Sequence, residues 1–384
     1  AVTHIPNSDD QEILRLNKRY VRRGVKQVEN KSMSIYALWN NKGGVGKSYL
    51  TFQVASEYAR THPQQKVLVV DLCPQANSSS MLLGGMERGE DAIEALSANR
   101  PAQTVSGYVA ERIVSPYMTP HSGANFLTQV SQHNHFVSDN LYLVCGDEEL
   151  EMQSSQVRLA CTAGPADAWR IVHTWISDLI EDVRRSWGQE RITVFIDCNP
   201  SFTIYTEMAM SAADRLIIPF SADGSSKRAV KSVLSLVYGI QRRPGQVQSE
   251  FYRNSMQYRM SLPLIYSYVG NRLTQMNNSS ASAFRNVVTE IFDEVFSVWQ
   301  NQPQLFCPHP SGNPAPTTKR GFKQMFEEQI NDANTASVVS GAMGIPINRL
   351  TAGQKSFAGR SVMVNQSQLD KQQPNIAGFV QKIE

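Results

Sequence analysis

The 384-residue sequence predicts an α/β protein with a doubly wound, mostly parallel sheet. Three observations support this fold class. Short, wholly apolar segments alternate with stretches of helical periodicity, which is typical of strands that are buried on both faces. A glycine-rich turn joins the first such strand to the first helix. Two later strands each end in an acidic residue. At about 150 residues per domain the length allows two domains, but one large sheet accounts for most of the chain.

The order of elements follows from these patterns. The predicted strands span residues 34–40, 66–71, 140–145, 192–197, 216–219 and 262–269. Residues 49–60, 166–187 and 227–240 have the apolar spacing of helices. Residues 84–140 predict an irregular insertion with one or two short helices, and the Pro-rich segment 302–316 predicts a surface loop. The expected organisation is therefore a basic helical leader, residues 1–33, and a single α/β domain, residues 34–384.

Composition excludes several classes of protein. No apolar run approaches the roughly 18 residues that span a bilayer, and the N-terminal residues lack the apolar core of a signal peptide. The five cysteines are scattered and form no Cys-x-x-Cys pair, which argues against a disulfide framework, a structural zinc site or an iron–sulfur cluster within one chain. We therefore expect a cytoplasmic protein with no membrane partner.

Basic charge is concentrated in segments. The net charge is +3, which equals the balance of seven basic and four acidic residues in the leader alone. Residues 224–289 contain nine basic residues against Glu250, and residues 333–369 add Arg349, Lys355 and Arg360 with no acid. These segments are open to two interpretations, a nonspecific DNA surface or ordinary solvated faces. The leader is open to three interpretations: a solvated helix that packs on the protein's own body, an arm that binds nucleic acid or a partner, or a helix on a membrane surface.

The glycine-rich turn carries the clearest chemistry. Residues 43–48 read Gly-Gly-Val-Gly-Lys-Ser at a strand-to-helix junction. Glycines there allow backbone N–H groups to close around phosphate oxygens, Lys47 can reach the β- and γ-phosphates, and Ser48 can bind Mg²⁺. The full phosphate-loop pattern requires glycine at the position of Asn41, so the loop departs from it by one residue. The turn predicts a nucleoside triphosphate site.

Lys42 is the informative departure, because a second lysine in this loop is repelled by Lys47 unless phosphate charge compensates both. With Lys42, the loop resembles that of the deviant Walker A ATPases of the ParA/MinD superfamily. The resemblance extends to residues 67–77, similar to the Walker A′ segment, and to residues 194–201, similar to Walker B. Residues 140–150, 210–219, 269–272 and 344–347 match further family elements in order, and the Asp-x-x-Pro-Gln-like segment favours the ParA partition branch.

The resemblance implies ATP and Mg²⁺ as cofactors, an ATP-sandwich homodimer in which Lys42 contacts the partner's nucleotide, nonspecific DNA binding, and an activating ParB-like partner protein. It places the protein in the cytoplasm, with nucleoid association when DNA is bound. Asp197 is expected to hold the Mg²⁺ shell through water. The implied catalytic residues are Lys42, Lys47, Asp71 and Asp197. The implied metal-binding residues are Ser48, Asp71 and Asp197. The implied nucleotide-binding residues are Gly43, Gly44, Val45, Gly46, Lys47, Ser48, Tyr49, Asn271 and Arg272.

One departure bears on hydrolysis. Cys73 stands where the family has a second Walker A′ acid, which supports positioning of the attacking water. A neutral thiol is a poor substitute for a carboxylate in orienting water. ATP binding is therefore expected more firmly than ATP turnover, and Asp71 or a partner protein are the candidates to complete the site.

Two other hypotheses remain open at this point. The first is a nucleotide-gated switch or scaffold with little turnover inside a larger assembly, such as a phage-defence complex, and it is motivated by Cys73 and by residues 84–140. The second is a phosphate-loop metabolic enzyme of the dethiobiotin synthetase kind, which requires a small-molecule pocket that the sequence does not reveal.

Overall fold

A central sheet of eight strands organises the chain. The computed structural model describes residues 33–188, 190–241, 243–273, 279–308 and 313–384, without the side chains of residues 272–284. The expected leader therefore lies almost wholly outside the described residues. The strands are β1 (Met33–Leu38), β2 (Lys66–Asp71), β3 (Thr128–Gln129), β4 (Leu141–Val144), β5 (Ile192–Asp197), β6 (Arg215–Phe220), β7 (Leu264–Leu273), β8 (Glu327–Asn331), β9 (Gly353–Phe357) and β10 (Arg360–Val364).

The strand order is β3-β4-β2-β5-β1-β6-β7-β8, and β9 and β10 form a separate antiparallel hairpin. Strand β3 is antiparallel to β4, and the other pairs in the large sheet are parallel. The sheet confirms the predicted mostly parallel architecture. Strands β2 and β5 have the predicted bounds, whereas β8 is too polar to be detected as a buried strand.

Helices connect the strands and cover both faces of the sheet. They are α1 (Lys47–Thr61), α2 (Asn77–Leu82), α3 (Met86–Ala98), α4 (Val105–Val114), α5 (Glu149–Thr162), α6 (Ala168–His173), α7 (Trp175–Ser186), α8 (Ile204–Ala212), α9 (Ser226–Tyr238), α10 (Glu250–Gln257), α11 (Ser279–Asn301), α12 (Lys319–Phe326), α13 (Thr335–Met343) and α14 (Gln366–Gln381). Residues 84–140 thus contain two helices of 13 and 10 residues and the edge strand β3.

Alternate side chains of each central strand enter opposite cores. In β1, Ile35 and Ala37 belong to one cluster of buried residues, and Tyr36 and Leu38 belong to the other. Because successive side chains in a strand point to opposite faces, both faces must be covered, which explains the uninterrupted apolar runs in the sequence. The doubly wound arrangement follows directly from these runs.

Two predicted elements differ from the structure. The helix expected over residues 166–187 is divided into α6 and α7 at Thr174. The expected surface loop over residues 302–316 is partly internal, since Phe306 and Cys307 are buried and the Cys307 N–H donates to the Ile265 carbonyl, at 2.9 Å. Pro-rich composition favours an exposed loop, but two residues of this segment extend alongside β7. Residues 309–312 lie outside the described part of the chain.

The strand order determines where the polar loops meet. Strand β1 lies between β5 and β6, and β5 lies between β1 and β2. The carboxyl ends of these four parallel strands therefore share one edge, which is where ligands bind in open α/β sheets. In the register of β2 with β5, Asp71 is directly opposite Asp197.

Candidate functional site

The glycine loop leaves open space above the sheet edge. Residues 39–46 connect β1 to α1, and Gly44 and Gly46 have positive φ values of 75° and 78°. Such φ values strain any residue with a side chain. A Cβ atom built on Gly43 or Gly44 would meet no atom within 4 Å. The glycines are thus needed for the backbone conformation of the loop, and they leave room for an incoming group to approach its N–H donors.

The N-terminus of α1 points toward this space. Its N-cap is Gly46, which provides no side-chain cap, and its first turn contains no acidic residue. Free N–H groups and the positive end of the helix dipole favour an anion here. Val45 and Lys47 are buried on either side of the N-cap, so the helix start is fixed in the core.

Two asparagines hold the loop in place. The Asn271 side-chain amide donates to the carbonyl oxygens of Val45 and Gly46, at 3.0 and 3.1 Å. The Asn40 amide donates to the Pro219 carbonyl in β6, at 2.7 Å. The family resemblance assigns Asn271 to the nucleotide, whereas the structure places its amide against the loop backbone. Asn40 was not among the predicted site residues, although its position at the end of the first predicted strand indicates that it lies near the loop.

Lys47 and Asp197 form the charged centre of the site. Lys47 is 5% exposed, and its ammonium donates to the Lys42 carbonyl, at 3.0 Å. Burial lowers the pKa of Lys47, and the charge of Asp197 acts in the opposite direction. The lysine is therefore held at the phosphate loop by a backbone oxygen and by attraction to a buried carboxylate.

Asp197 is fully buried, and neither carboxylate oxygen accepts a hydrogen bond from the described residues. Burial and then the charge of Asp71 raise its pKa to about 7, while the nearby hydroxyls of Ser48 and Ser78 and the Lys47 ammonium lower it. A buried carboxylate without hydrogen bonds is costly unless a cation compensates it. This donor set, a carboxylate beside a serine hydroxyl, suits a hard cation such as Mg²⁺.

Asp71 lies opposite Asp197 but has a different environment. Its carboxylate accepts hydrogen bonds from the Cys73 N–H at 3.0 Å, the Ser79 N–H at 3.0 Å and the Ser79 hydroxyl at 2.7 Å. Burial raises its pKa, and these hydrogen bonds act against that rise. Asp71 thus holds the turn between β2 and α2, and both of its oxygens are already engaged.

The same turn is packed closely against the loop after β4. The Gly146 N–H donates to the Ser79 hydroxyl, at 3.0 Å. A Cβ atom on Gly146 would lie 2.9 Å from the carbonyl oxygens of Asp71 and Cys73, so only glycine fits. Ala76, at the tip of the turn, has a positive φ of 48°. The turn is therefore fixed by the strand beside it, even though an alanine occupies a strained position.

Cys73 is unsuited to act as a base. The residue is 5% exposed, and burial together with the charges of Asp71 and Asp197 raises the pKa of the thiol to about 12. At neutral pH the side chain is a protonated thiol next to two acids. Where the resembling family carries a second carboxylate, this chain carries a group that accepts no proton under physiological conditions.

Lys42 is held within its own chain. Its ammonium contacts the Asp223 carboxylate and lies 3.3 Å from the Ser221 hydroxyl and 3.4 Å from the Ser226 hydroxyl. These three residues belong to the connection between β6 and α9 and to the first residue of α9. No partner for Lys42 within the chain was predicted. Asp223 could have been identified as a candidate, because it follows a predicted strand.

Two other assigned residues lie apart from this cluster. The Tyr49 hydroxyl donates to the Gln372 side chain in α14, at 2.6 Å, and both residues are buried. Only the backbone of Tyr49 is then available to a phosphate. Arg272 lies in β7, and its side chain is outside the described part of the structure.

The basic stretch over residues 224–289 is partly neutralised. Lys227 pairs with Glu290 at 3.2 Å, and Lys231 pairs with Glu294 at 3.0 Å, which ties α9 to α11. Both acids follow the C-terminal end of the basic stretch in the sequence. In the hairpin region, Arg349 and Arg360 are exposed, and the Lys355 ammonium donates to the Thr351 hydroxyl, at 3.0 Å. Arg242 lies outside the described residues.

Together the sheet and the loop define the α/β fold of the phosphate-loop nucleoside triphosphatases. The AAA_31 family, described as an AAA domain, matches residues 33–249, which is more than half of the chain. The chain therefore belongs to this family, and its ParA/MinD-like character, predicted from the loop and the strand-end segments, is confirmed.

Known proteins resemble the chain over most of its length. An uncharacterized protein of Pseudomonas putida is 24% identical over 264 residues, which cover 68% of this chain and 80% of the relative. The structure of apo McdA from Cyanothece is 14% identical with a TM-score of 0.51, and the alignment covers 82% of this chain and 91% of McdA. An ATP complex of a Cyanothece McdA variant aligns with a TM-score of 0.52 at 14% identity, covering 83% and 90%. At this identity the two structures support the fold.

No helix among the described residues combines the length and the apolar character needed to cross a membrane.

Proposed function

We propose that the protein is a ParA-like ATPase that binds MgATP and uses it to control association between two copies of the chain. The observation that carries the proposal is the buried Asp197 carboxylate, which accepts no hydrogen bond from the described residues and lies close to Lys47 and Ser48 beneath an open glycine loop. The McdA structure of the same fold that contains ATP supports the choice of nucleotide.

The residues at the sheet edge fit a nucleotide-bound Mg²⁺ ion. Ser48 and Asp197 would hold the ion, and when bound it would neutralise charge on the phosphates. Lys47 would exchange the Lys42 carbonyl for phosphate oxygens, and the backbone of residues 43–48 would donate to them. Asp71, with both oxygens engaged, acts in this proposal as the residue that positions the turn after β2 rather than as a metal ligand.

Hydrolysis is expected to be slow in the isolated protein. With the pKa of Cys73 at about 12, the turn after β2 offers no base for the attacking water. A partner protein that supplies or orients a polar group would raise the rate, as the family resemblance implies for a ParB-like activator. Nucleotide binding and association of two copies are then the main events, and hydrolysis reverses the association.

Nonspecific DNA binding by the closed form belongs to the same proposal, in keeping with a partition or positioning role in the cytoplasm. Lys227 and Lys231 are paired with acids, so the exposed Arg349 and Arg360 and the neighbouring Lys355 are the better candidates for phosphate contacts. Such contacts give a salt-sensitive affinity that does not depend on sequence.

A second candidate is a nucleotide-gated switch or scaffold with little turnover, and the protonated Cys73 thiol favours it. Phosphate release measured with saturating MgATP, with and without DNA, distinguishes the two. Turnover that DNA or a partner protein stimulates at least about tenfold supports the ATPase, because a positioned catalytic group contributes roughly 10²–10⁴-fold. Uniformly low turnover with tight MgATP binding supports the switch.

Sedimentation velocity tests the association step. The protein should be monomeric with MgADP and dimeric with MgATP, and Lys42→Ala should remain monomeric in both. Lys371→Ala, which removes an exposed lysine of α14, is the matched control and should behave as wild type. A monomer at saturating MgATP would contradict the proposed function.

A further inference from the structure

The connection between β6 and α9 carries an acid that faces the phosphate loop. Because β6 pairs with β1, residues 221–225 follow the sheet edge beside the glycine loop. Asp223 contacts the Lys42 ammonium there, and the hydroxyls of Ser221 and Ser226 flank the same ammonium, at 3.3 and 3.4 Å. Lys42 therefore has a complete set of acceptors within its own chain.

The Asp223 carboxylate is held in place by hydrogen bonds from neighbouring serines as well as by Lys42. One oxygen accepts from the Ser225 N–H at 3.0 Å and the Ser225 hydroxyl at 2.8 Å, and the other accepts from the Ser221 hydroxyl at 2.7 Å. Although partial burial works in the opposite direction, hydrogen bonds from Lys42, Ser221 and Ser225 keep the pKa of Asp223 well below its usual range. The acid is thus ionised throughout the physiological range and oriented toward Lys42.

We propose that Asp223 is a positioning residue that holds Lys42 in the resting chain and competes with nucleotide phosphate for its ammonium. This inference rests on the proposed function, in which Lys42 meets a phosphate of the nucleotide bound by the partner copy. The three donors of the ammonium are already directed to Asp223, Ser221 and Ser226, so a phosphate contact must displace acceptors of this set, of which Asp223 alone is charged. Asp223 therefore sets how much MgATP is needed before two copies associate.

The strength of the contact suits a reversible restraint. The Lys42 and Asp223 side chains are 24% and 47% exposed, so water screens the pair. Exposed pairs change an equilibrium by no more than about fivefold, which a nucleotide with several negative charges readily exceeds. A fully buried pair would hold Lys42 too firmly to be released.

Two neighbouring contacts connect Lys42 to other parts of the site. The Lys42 carbonyl accepts from the Lys47 ammonium, so residue 42 also contacts the second lysine of the loop. Ser226 is the first residue of α9, and α9 is tied to α11 through Lys231 and Glu294. The Asp223 contact thus links the phosphate loop to the start of α9.

Asp223→Asn is the sharpest test, because the carboxamide keeps an oxygen for the Ser225 N–H and removes the charge that holds Lys42. Asp167→Asn is the matched control: Asp167 is 42% exposed and pairs with Arg170 on α6, remote in sequence from the loop. Circular dichroism and thermal melts verify that both variants fold.

Trace acylation of the nucleotide-free protein tests the restraint itself. Labelling of Lys42 by an N-hydroxysuccinimide ester is quantified by mass spectrometry relative to the exposed Lys371 of the same chain. We expect the ratio to rise about two- to fivefold in Asp223→Asn and to stay at the wild-type value in Asp167→Asn. Equal ratios in Asp223→Asn and wild type would overturn the proposal.

Sedimentation velocity across a series of MgATP concentrations tests the competition. The concentration that gives half-maximal dimer should fall about two- to fivefold in Asp223→Asn, with no change in Asp167→Asn. An unchanged or higher threshold in Asp223→Asn would overturn the proposal. A wild type that binds MgATP but stays monomeric would contradict the proposed function instead, and the restraint of Lys42 is then decided by the labelling ratio alone.

Discussion

Replacement of Asp197 by asparagine should stabilise the nucleotide-free protein at alkaline pH. The Asp197 carboxylate is fully buried and accepts no hydrogen bond from the part of the chain that the structure describes, and its pKa rises from 3.8 to about 7 on folding. A tenfold change in a proton-binding constant corresponds to about 1.4 kcal/mol, so ionisation in the folded chain costs about 4 kcal/mol. Asparagine is nearly isosteric and carries no charge. The attraction of Lys47 is already included in the pKa of about 7, so we expect a gain of up to about 4 kcal/mol at pH 8.

The sign of the pH dependence is the diagnostic feature. Because the folded pKa of Asp197 lies above the unfolded value, the folded chain binds more protons between about pH 4 and pH 7. The contribution of this group to stability is fully present below about pH 4 and is lost as the pH rises through about 7. The difference between Asp197→Asn and wild type should therefore reach its full value at pH 8 and fall to less than half of that value at pH 5.

Urea unfolding followed by circular dichroism at pH 5, 6.5 and 8, without nucleotide or divalent cations, measures this difference. Asp167→Asn serves as the control, since an exposed acid should give a small difference at every pH. A variant that is less stable than wild type at pH 8, or a difference that is constant across the three pH values, would show that ionised Asp197 does not destabilise the folded chain.

Three further substitutions test other parts of the site. Cys73→Asp should raise phosphate release at saturating MgATP, and it should lower the free energy of unfolding by about 1–3 kcal/mol because it adds a carboxylate beside Asp71 and Asp197. The neutral Cys73→Ser is the control, and unchanged turnover in Cys73→Asp would show that the missing acid does not limit hydrolysis. Ala76→Gly should stabilise the protein by about 0.5–1 kcal/mol in urea unfolding, because glycine adopts the positive φ of 48° without strain. As the control, Ala95→Gly, at an exposed position in the middle of α3, should destabilise the protein by a similar amount. A loss of stability in Ala76→Gly would show that the turn is not strained at this residue. Tyr49→Phe should lower the free energy of unfolding by about 1–2 kcal/mol, because it removes the hydroxyl that donates to the buried Gln372 oxygen. The affinity for MgATP, measured by calorimetry, should not change, and a large loss of affinity would mean that the Tyr49 side chain takes part in nucleotide binding.

The fold was predictable because the central strands are buried on both faces. Such strands appear in the sequence as uninterrupted apolar runs, and β2 and β5 were predicted with their observed bounds, each ending in an acid. The polar strand β8 has no such run, since it is the last strand on one side of the sheet. Hydrophobic patterning therefore predicted the central strands better than this outermost strand.

The separate roles of Asp71 and Asp197 were not predictable from sequence. Both end a parallel strand, and the register places them directly opposite each other. The turn over residues 73–79 gives Asp71 its three hydrogen bonds, whereas Asp197 accepts none from the described residues. The contact between Lys42 and Asp223 likewise joins residues far apart in the chain, through the pairing of β1 with β6.

Isothermal titration of ATP into the nucleotide-free protein, with and without Mg²⁺, tests whether this end of the sheet binds MgATP. We expect one site per chain, with binding strengthened by Mg²⁺ in wild type. Asp197→Asn should lose that strengthening, and Lys47→Ala should lose most of the affinity. Undetectable binding to wild type, or Mg²⁺ dependence that survives in Asp197→Asn, would contradict the assignment of this sheet edge as the MgATP site.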